Sequence, residues 1–563
     1  MKRLLFLPLA LVFAFMLVSC DSGNTGDFKI TLKLPYDDGI CSQYDSDEDN
    51  ENDYSYCINR NDQVSLVIYS KQSISDEYVY ADRKLITADK NDGGKDEFIR
   101  SLKKGSYYRF FVEVTNENQK LKLTGGIDGI LYDDANNYDV DIFLAPVGDF
   151  ARVVSDRKRF DENSLESYFD EDGSKGSAAV AFKDGSIYMA GGYDFAEDSV
   201  VKRAVVFDMK TISKKNAKQL PIPIYDHIAA LVDDGSETGK VVVGLGMSGD
   251  DELNDAVWVY DPKNDKYEPL ALGSQAVTKA KAITIDGDVY VVGGCTDNGA
   301  SNAVYKISAD ESGRISTNNF ATLNAGRCNH AIADVSTVDE NGNKTVRILV
   351  VGGSTNYKPE GKETPVTGDN FAEIVTQGSS KSMTVSYRNG DDEADLKVTG
   401  LIAPAAVSVS IDGNKVVSVL GGYILDGEDE DASWIANPRL FVLSENGDKL
   451  VYDANSTPNE CSRPSAALLG TGEEDSVKYV AVNCGSSEIS RKEAKSNQTI
   501  FVLQVKATSD SYSSSVKESL MTSNYDNEST AGFLDGPVAV DAIGQVFMLG
   551  GKFVYQVGSY AVP

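Results

Sequence analysis

From Ser177 onward the hydrophobic positions return in one pattern: an apolar strand rich in small residues, a polar turn, a second apolar strand ending in a glycine pair, then a loop and a third strand. The clearest copies are SAAVAFKDGSIYMAGG (177–192), AKAITIDGDVYVVGG (280–294) and AAVSVSIDGNKVVSVLGG (405–422). Asp184-Gly185, Asp286-Gly287 and Asp412-Gly413 sit between the strands, where two residues tolerant of positive φ predict a tight hairpin. Four weaker copies cover 227–246, with Leu245 in place of the first glycine, 330–353, with a longer hairpin, 465–485, with Cys484, and 536–551. Third strands are predicted at 203–211, 255–262, 302–308, 439–447 and 499–505. Taking the first position of each pair as 191, 245, 293, 352, 421, 484 and 550, the steps are 54, 48, 59, 69, 63 and 66 residues.

Upstream, residues 27–148 alternate differently. Phe28, Ile30, Leu32 and Leu34 share one face of a strand, Tyr108, Phe110, Val112 and Val114 one face of another, and Val140, Ile142 and Leu144 close the set before Pro146 and Gly148. The run KKGSYYRFFVEVTN (103–116) is similar to prealbumin-like or immunoglobulin-like sandwiches, which implies a small N-terminal β-sandwich.

A glycine pair closing the second strand, at a period near 50, resembles the kelch repeat, whose unit is a four-stranded blade. The implied fold class is all-β: the sandwich (27–148) followed by a kelch-like β-propeller (149–563) of seven blades, with six to eight possible. The Tyr and Trp usual after the pair are only partly kept, as in Trp258 and Tyr260. The chain ends at Pro563, leaving room for three strands in the seventh blade. An open edge there would be free to pair with other chains, so residues 150–170, where Ala151-Arg-Val-Val154 has strand character, are the expected donor of its fourth strand.

Lys2 and Arg3 precede an apolar run from Leu4 to Val18, short for a membrane span and suited to a signal-peptide core (1–19). Leu17, Val18, Ser19 and Cys20 resemble a bacterial lipobox, which implies lipidation of Cys20 and a tether at 20–26. The expected location is the bacterial cell envelope, lipid-anchored outside the cytoplasm. Asp21 resembles an inner-membrane retention signal that does not hold in every lineage, so inner and outer membrane both stay open.

The formal charge is −32, and removal of Lys2 and Arg3 takes it to −34; that field repels phosphate backbones and argues against nucleic acid as a partner. Seven cysteines less Cys20 leave six, an even number suited to an oxidising space. Cys41 and Cys57 flank one acidic loop; for Cys295, Cys328, Cys461 and Cys484 the sequence does not fix the pairing, and neighbour order suggests 295 with 328 and 461 with 484.

Candidate chemistry is sparse. His227 and His330, the only histidines, occupy the same repeat position, as a structural role predicts. The copper oxidases among kelch propellers need two histidines and two tyrosines on one metal, a set not reproduced here, and no pair of cysteines has zinc-knuckle spacing. The acidic run 45–53 departs from a calcium loop at Asn50 and Tyr56, so a solvated loop competes with calcium binding. No catalytic residue, metal or cofactor is assigned. The expected function is a protein- or glycan-binding module; a sugar-acting kelch-class enzyme of epimerase or mutarotase type, or a structural envelope component, are the alternatives. Binding-face candidates are Tyr193, Phe195, Tyr357, Phe371, Tyr423 and Trp434 on second-to-third loops, with Phe371 in a long loop 354–380, and Arg327 and Arg463 where one blade leads into the next. Those arginines could pair with loop carboxylates or meet a ligand.

The lipid anchor is tested by Cys20→Ala, which is expected to abolish labelling by a palmitate analogue and to leave unprocessed precursor. Persistent labelling of that variant would remove the anchor.

Overall fold

The computed structural model describes residues 25–559 apart from 34–61, 74–75, 88–96, 133–138, 149, 154–164, 170–173, 251, 358–362, 390–391, 396–399, 412–413, 427–432, 437–440, 444–448, 454–460, 462, 470–476, 485–498, 508–511, 522–535, 542 and 553. Cys20, Leu34, Cys41, Cys57 and the acidic run 45–53 lie outside the described residues. Within them every element is a β-strand except the 3-10 turn Gly368–Asn370, and the chain is all-β.

Two N-terminal sheets come first. In one, Thr25–Lys33 lies between Glu97–Lys103, antiparallel to it, and Asp139–Phe143, parallel to it. The other runs in the order Val79–Thr87, Gln63–Lys71, Ser106–Thr115, Leu121–Tyr132, Ala145–Pro146. Period-2 alternation sends one face of each sheet into a shared core: Ile30, Val140, Ile142 and Leu144 meet Leu66, Ile68, Phe110, Val112, Val114 and Leu123.

Among the described residues the repeat region holds seven sheets that contain four antiparallel strands in a row, beside smaller two- and three-stranded ones. The first is Ala178–Ala181, Ile187–Ala190, Ala204–Asp208, Ser213–Asn216, and the third is Lys281–Ile285, Asp288–Val292, Ala303–Ala309, Ile315–Thr322. Turn chemistry sets the hairpins: Asp286 and Gly287 take φ of +51° and +82°, the two-residue geometry that matches strand twist. Leu245 itself adopts φ +59°, so the second copy keeps the glycine corner at the cost of a left-handed leucine.

Three features differ from the sequence reading. The third strand of the fourth sheet, Ala372–Thr376, and the start of the fourth, Ser379–Ser382, fall inside the stretch read as a loop to 380, because the short apolar run Ala-Glu-Ile-Val-Thr carries little periodicity of its own. Phe371, at its start, is therefore buried in the core between the fourth and fifth sheets, with Leu349, Val351 and Leu401. The fifth sheet is widened by Thr384–Asn389, parallel to Lys449–Asp453, and by Asp392–Asp395.

The first strands of the seven sheets are neighbours in a cyclic order. Ala178–Ala181 lies beside Ile228–Val232, followed by Lys281–Ile285, Ala331–Asp334, Ala405–Ile411, Ser465–Leu468 and Val538–Val540, which returns to Ala178–Ala181. Apolar side chains fill each space between sheets, as Ile228, Ala230, Val242, Val289 and Val291 do between the second and third. The glycine pairs permit this approach: a Cβ on Gly293 would lie 2.3 Å from the Arg327 carbonyl oxygen, and one on Gly352 would lie 2.4 Å from that of Leu401.

The seventh sheet draws its fourth strand from the other end of the repeat region. Phe150–Arg152 pairs antiparallel with Tyr555–Val557, and the Val153 N–H donates to the Val554 carbonyl at 2.9 Å. Val153 is fully buried. Val153→Pro removes that donor and leaves a buried acceptor unmatched, an expected loss of about 2–4 kcal/mol. The check is chemical denaturation of the full chain; a change within the range of exposed surface substitutions would show that this strand does not secure the last sheet.

Candidate functional site

The turn that leads into each first strand repeats one backbone conformation. Gly176, Asp226, Lys279, Asn329 and Ala403 occupy the same register position in the first five sheets, all with φ between +50° and +64°. Four of the five are not glycine, so strained backbone is concentrated at one place. Neighbouring turns are joined by backbone hydrogen bonds: the N–H of Asp226 donates to the Gly176 carbonyl (2.8 Å), Lys279 to Asp226 (3.1 Å), Asn329 to Lys279 (3.4 Å) and Ala403 to Asn329 (2.7 Å). This belt fixes where the side chains of those turns project.

Beside the belt a cavity of about 160 Å³ is lined by Asp226, His227, Lys279, Lys281, Asn329, Tyr423 and Arg463, with Ala280, Ala403, Pro404 and Pro464 as apolar wall. Lys279 Nζ lies 3.3 Å from Asp226 Oδ2 and 5.9 Å from the centre of the Tyr357 ring. Tyr423 is buried, and its hydroxyl donates to Glu363 Oε1 at 3.1 Å.

The sequence candidates divide on this geometry. Arg463 and Tyr423 line the cavity. Tyr357 stands beside Lys279. Tyr193 and Phe195 are half-buried, their rings 5.5 Å apart edge to face, and Lys175 lies over the rings of Tyr193 and Tyr225. Trp434 belongs to the strand Ser433–Ala436, paired with Tyr423–Asp426; its side chain is outside what is described. Arg327 and Phe371 are not surface groups, because both are fully buried. The Arg327 guanidinium donates to the carbonyls of Gly352 (3.0 Å), Phe371 (3.3 Å) and Asn370 (2.7 Å) and pairs with Glu373. Glu373 also accepts the Asn324 N–H at 2.9 Å, so the ion pair is fully hydrogen-bonded and clamps the loop between second and third strands.

Asp226, Lys279, Lys281 and Asn329 were not singled out from the sequence. Asp226, Lys279 and Asn329 share a register position, not a residue type: the column runs Gly, Asp, Lys, Asn, Ala across the first five repeats, and Lys281 opens the strand that follows Lys279.

Among the described residues two disulfides are formed, Cys295–Cys328 and Cys461–Cys484, as neighbour order suggested, with Cα separations of 5.1 and 4.7 Å. The first ties the third sheet's glycine corner to the turn leading into the fourth. No group of three or more His, Cys, Asp or Glu side chains among the described residues could hold a metal ion. Compared with protein-family models and with curated proteins, the chain matches none.

Both histidines wedge against the glycine corner of the preceding sheet: a Cβ on Gly191 would meet His227 Cε1 at 2.7 Å, and one on Gly293 would meet His330 Cε1 at 3.1 Å. Burial pushes the His227 pKa from 6.5 down to about 4, with Asp226 opposing, and holds that of His330 well below 6.5. The folded state thus keeps neutral rings while the unfolded chain protonates from about pH 6.5 downward, so this contribution is complete above 6.5 and is lost as the pH falls toward 4. Asp541, raised by burial to about 6, acts in the opposite sense, destabilising as the pH rises from 3.8 to 6. The difference between wild type and His227→Gln isolates the histidine. Thermal unfolding from pH 7 to 4.5 is expected to show a shallower loss in the variant, by on the order of 2–3 kcal/mol across the window. Parallel profiles would mean that His227 takes up its proton as readily in the folded protein as in the unfolded chain.

Proposed function

We propose that this chain is a lipid-anchored bacterial envelope protein in which an N-terminal β-sandwich carries a seven-bladed kelch-like β-propeller, and that the propeller is a binding module for an envelope protein or glycan. The cyclic order of the first strands, the repeated glycine corners and the Phe150–Arg152 strand in the last sheet support the propeller reading. The lipobox at Cys20 supports the anchor.

One observation carries the binding reading. The cavity at the turn belt draws residues from the turns leading into six of the seven sheets: Gly176, Asp226, Lys279, Asn329, Ala403 and Arg463. Loops holding Tyr193, Phe195 and Tyr357 emerge at the same end, while the Asp184-Gly185 and Asp286-Gly287 hairpins lie at the opposite end of the sheets. Convergence of this kind suits recognition, in which many small contributions meet one ligand. It favours binding over turnover, since Asp226 on the wall is ion-paired with Lys279 and His227 is buried neutral, leaving neither as a ready proton carrier.

The test uses the full chain in detergent as bait against a solubilised envelope fraction. Capture of a partner is expected to fall with Phe195→Ser/Tyr357→Ser and to persist with Asp184→Asn/Asp286→Asn at the opposite end. Equal capture by both variants, or none by the wild type, would refute a ligand face at the turn belt.

A further inference from the structure

We propose that one end of the N-terminal sheets, the end from which the chain leads back toward Cys20, rests on the lipid surface that holds the anchor. The inference depends on lipidation of Cys20 and says which part of the protein meets the membrane.

Chain length is the first ground. Thr25 opens the first strand five residues after Cys20, and five residues reach at most about 18 Å when fully extended. The strand Thr25–Lys33 is itself about 30 Å long. The link to the lipid is thus shorter than the sheets it carries, and it ties down one end of them.

Register identifies what shares that end. Thr25 pairs with Lys103, whose strand turns through Lys104 and Gly105 into Ser106; Tyr107 then pairs with Lys71, and Ser70 with Val79. Thr25, the Lys103–Ser106 turn and the start of Val79–Thr87 therefore lie together. The turn is held firmly: the buried Tyr108 hydroxyl accepts the Lys103 N–H and donates to the Lys103 carbonyl, both at 2.9 Å, and the Gly105 N–H donates to the Tyr132 carbonyl at 2.6 Å.

Surface chemistry is the second ground. Val79 and Tyr80 stand side by side in the last strand of their sheet among the described residues, 66% and 57% exposed. Two such neighbours at one corner leave apolar area in water that a lipid interface would cover. Tyrosine suits the headgroup level, where the ring is buried and the hydroxyl stays wet. Lys103 and Lys104 have stems long enough to lie along the same boundary with their amines at lipid phosphates. Lys71, Lys103 and Lys104 share this end with the exposed Asp76 and Glu77, which leaves little net charge, so the contact is apolar and aromatic and needs no anionic lipid. It need not be strong, because a short tether confines it at an effective concentration on the order of millimolar.

Fluorescence of the full chain, lipidated in cells and reconstituted in phosphatidylcholine vesicles brominated near the headgroup end of the acyl chains, tests the contact. Val79→Trp places a reporter at this end. Leu85→Trp places one roughly 20 Å along the same strand, where the native side chain is 60% exposed. The emission gained over wild type, which carries Trp258 and Trp434, is expected to be largely lost to the bromine in Val79→Trp and unchanged in Leu85→Trp. Tyr80→Trp repeats the measurement with a smaller change of side chain. Equal quenching at positions 79 and 85, or none at 79 and 80 in chains that float with the vesicles, would overturn the proposal, and the second result leaves the anchor standing. Chains that do not float would remove the anchor and the contact together.

Discussion

Adjacent repeat sheets are joined where a backbone N–H of a glycine corner meets a carbonyl of the turn ahead of it. Gly192 donates to Ile224 (2.9 Å), Gly246 to Val277 (2.8 Å), Gly294 to Arg327 (2.9 Å) and Gly353 to Leu401 (2.7 Å). A Cβ on Gly192, Gly246, Gly294 or Gly353 would come within 2.9 Å of the turn that leads into its own sheet, so this second corner position takes glycine, while the first admits Leu245. The strand order, the apolar filling between sheets and the turn belt all follow from keeping that approach. Arg327 illustrates the dependence: its carbonyl receives Gly294, while its side chain reaches forward to hold the corner at Gly352.

The N-terminal sheets are joined to this system by a different device. The Gln545 side-chain amide mimics a peptide group, accepting the Gly126 N–H at 2.8 Å and donating to the Gly126 carbonyl at 3.1 Å. Its nitrogen also donates to Asp541, and Gln556 donates to its oxygen, so the buried polar groups satisfy one another. Val67, Phe111 and Ile543 add an apolar contact alongside. The seventh sheet therefore meets the N-terminal sheets through matched partners, and its closing strand follows directly from them along the chain.

Much of the strand content was legible because alternation and turn chemistry are local. Asp286-Gly287 reads as a hairpin wherever it stands between apolar strands, and the buried faces at Tyr108–Val114 and Val140–Leu144 follow from period 2 alone. What was not legible depends on the far side of a contact. Phe371 and Arg327 look like loop groups until the carbonyls and Glu373 that enclose them are known, and nothing local to Thr384–Asn389 announces a parallel partner at Lys449–Asp453. The cavity residues were hidden for a related reason. Asp226, Lys279 and Asn329 share a position but no side-chain type, so a search for recurring residues passes over them.

The pairing of Phe150–Arg152 with Tyr555–Val557 has a consequence in time. The two segments lie roughly 400 residues apart and a chain is made from its N-terminus, so the first of them must wait for nearly the whole repeat region before its partner exists. Earlier sheets can form from neighbouring sequence as they appear, whereas this last ladder is among the most non-local contacts in the molecule and is correspondingly slow to form. Until it does, an edge at each end of the growing array is unpaired, and the nascent chain is most open to association with other chains in the interval before Tyr555–Val557 has been made.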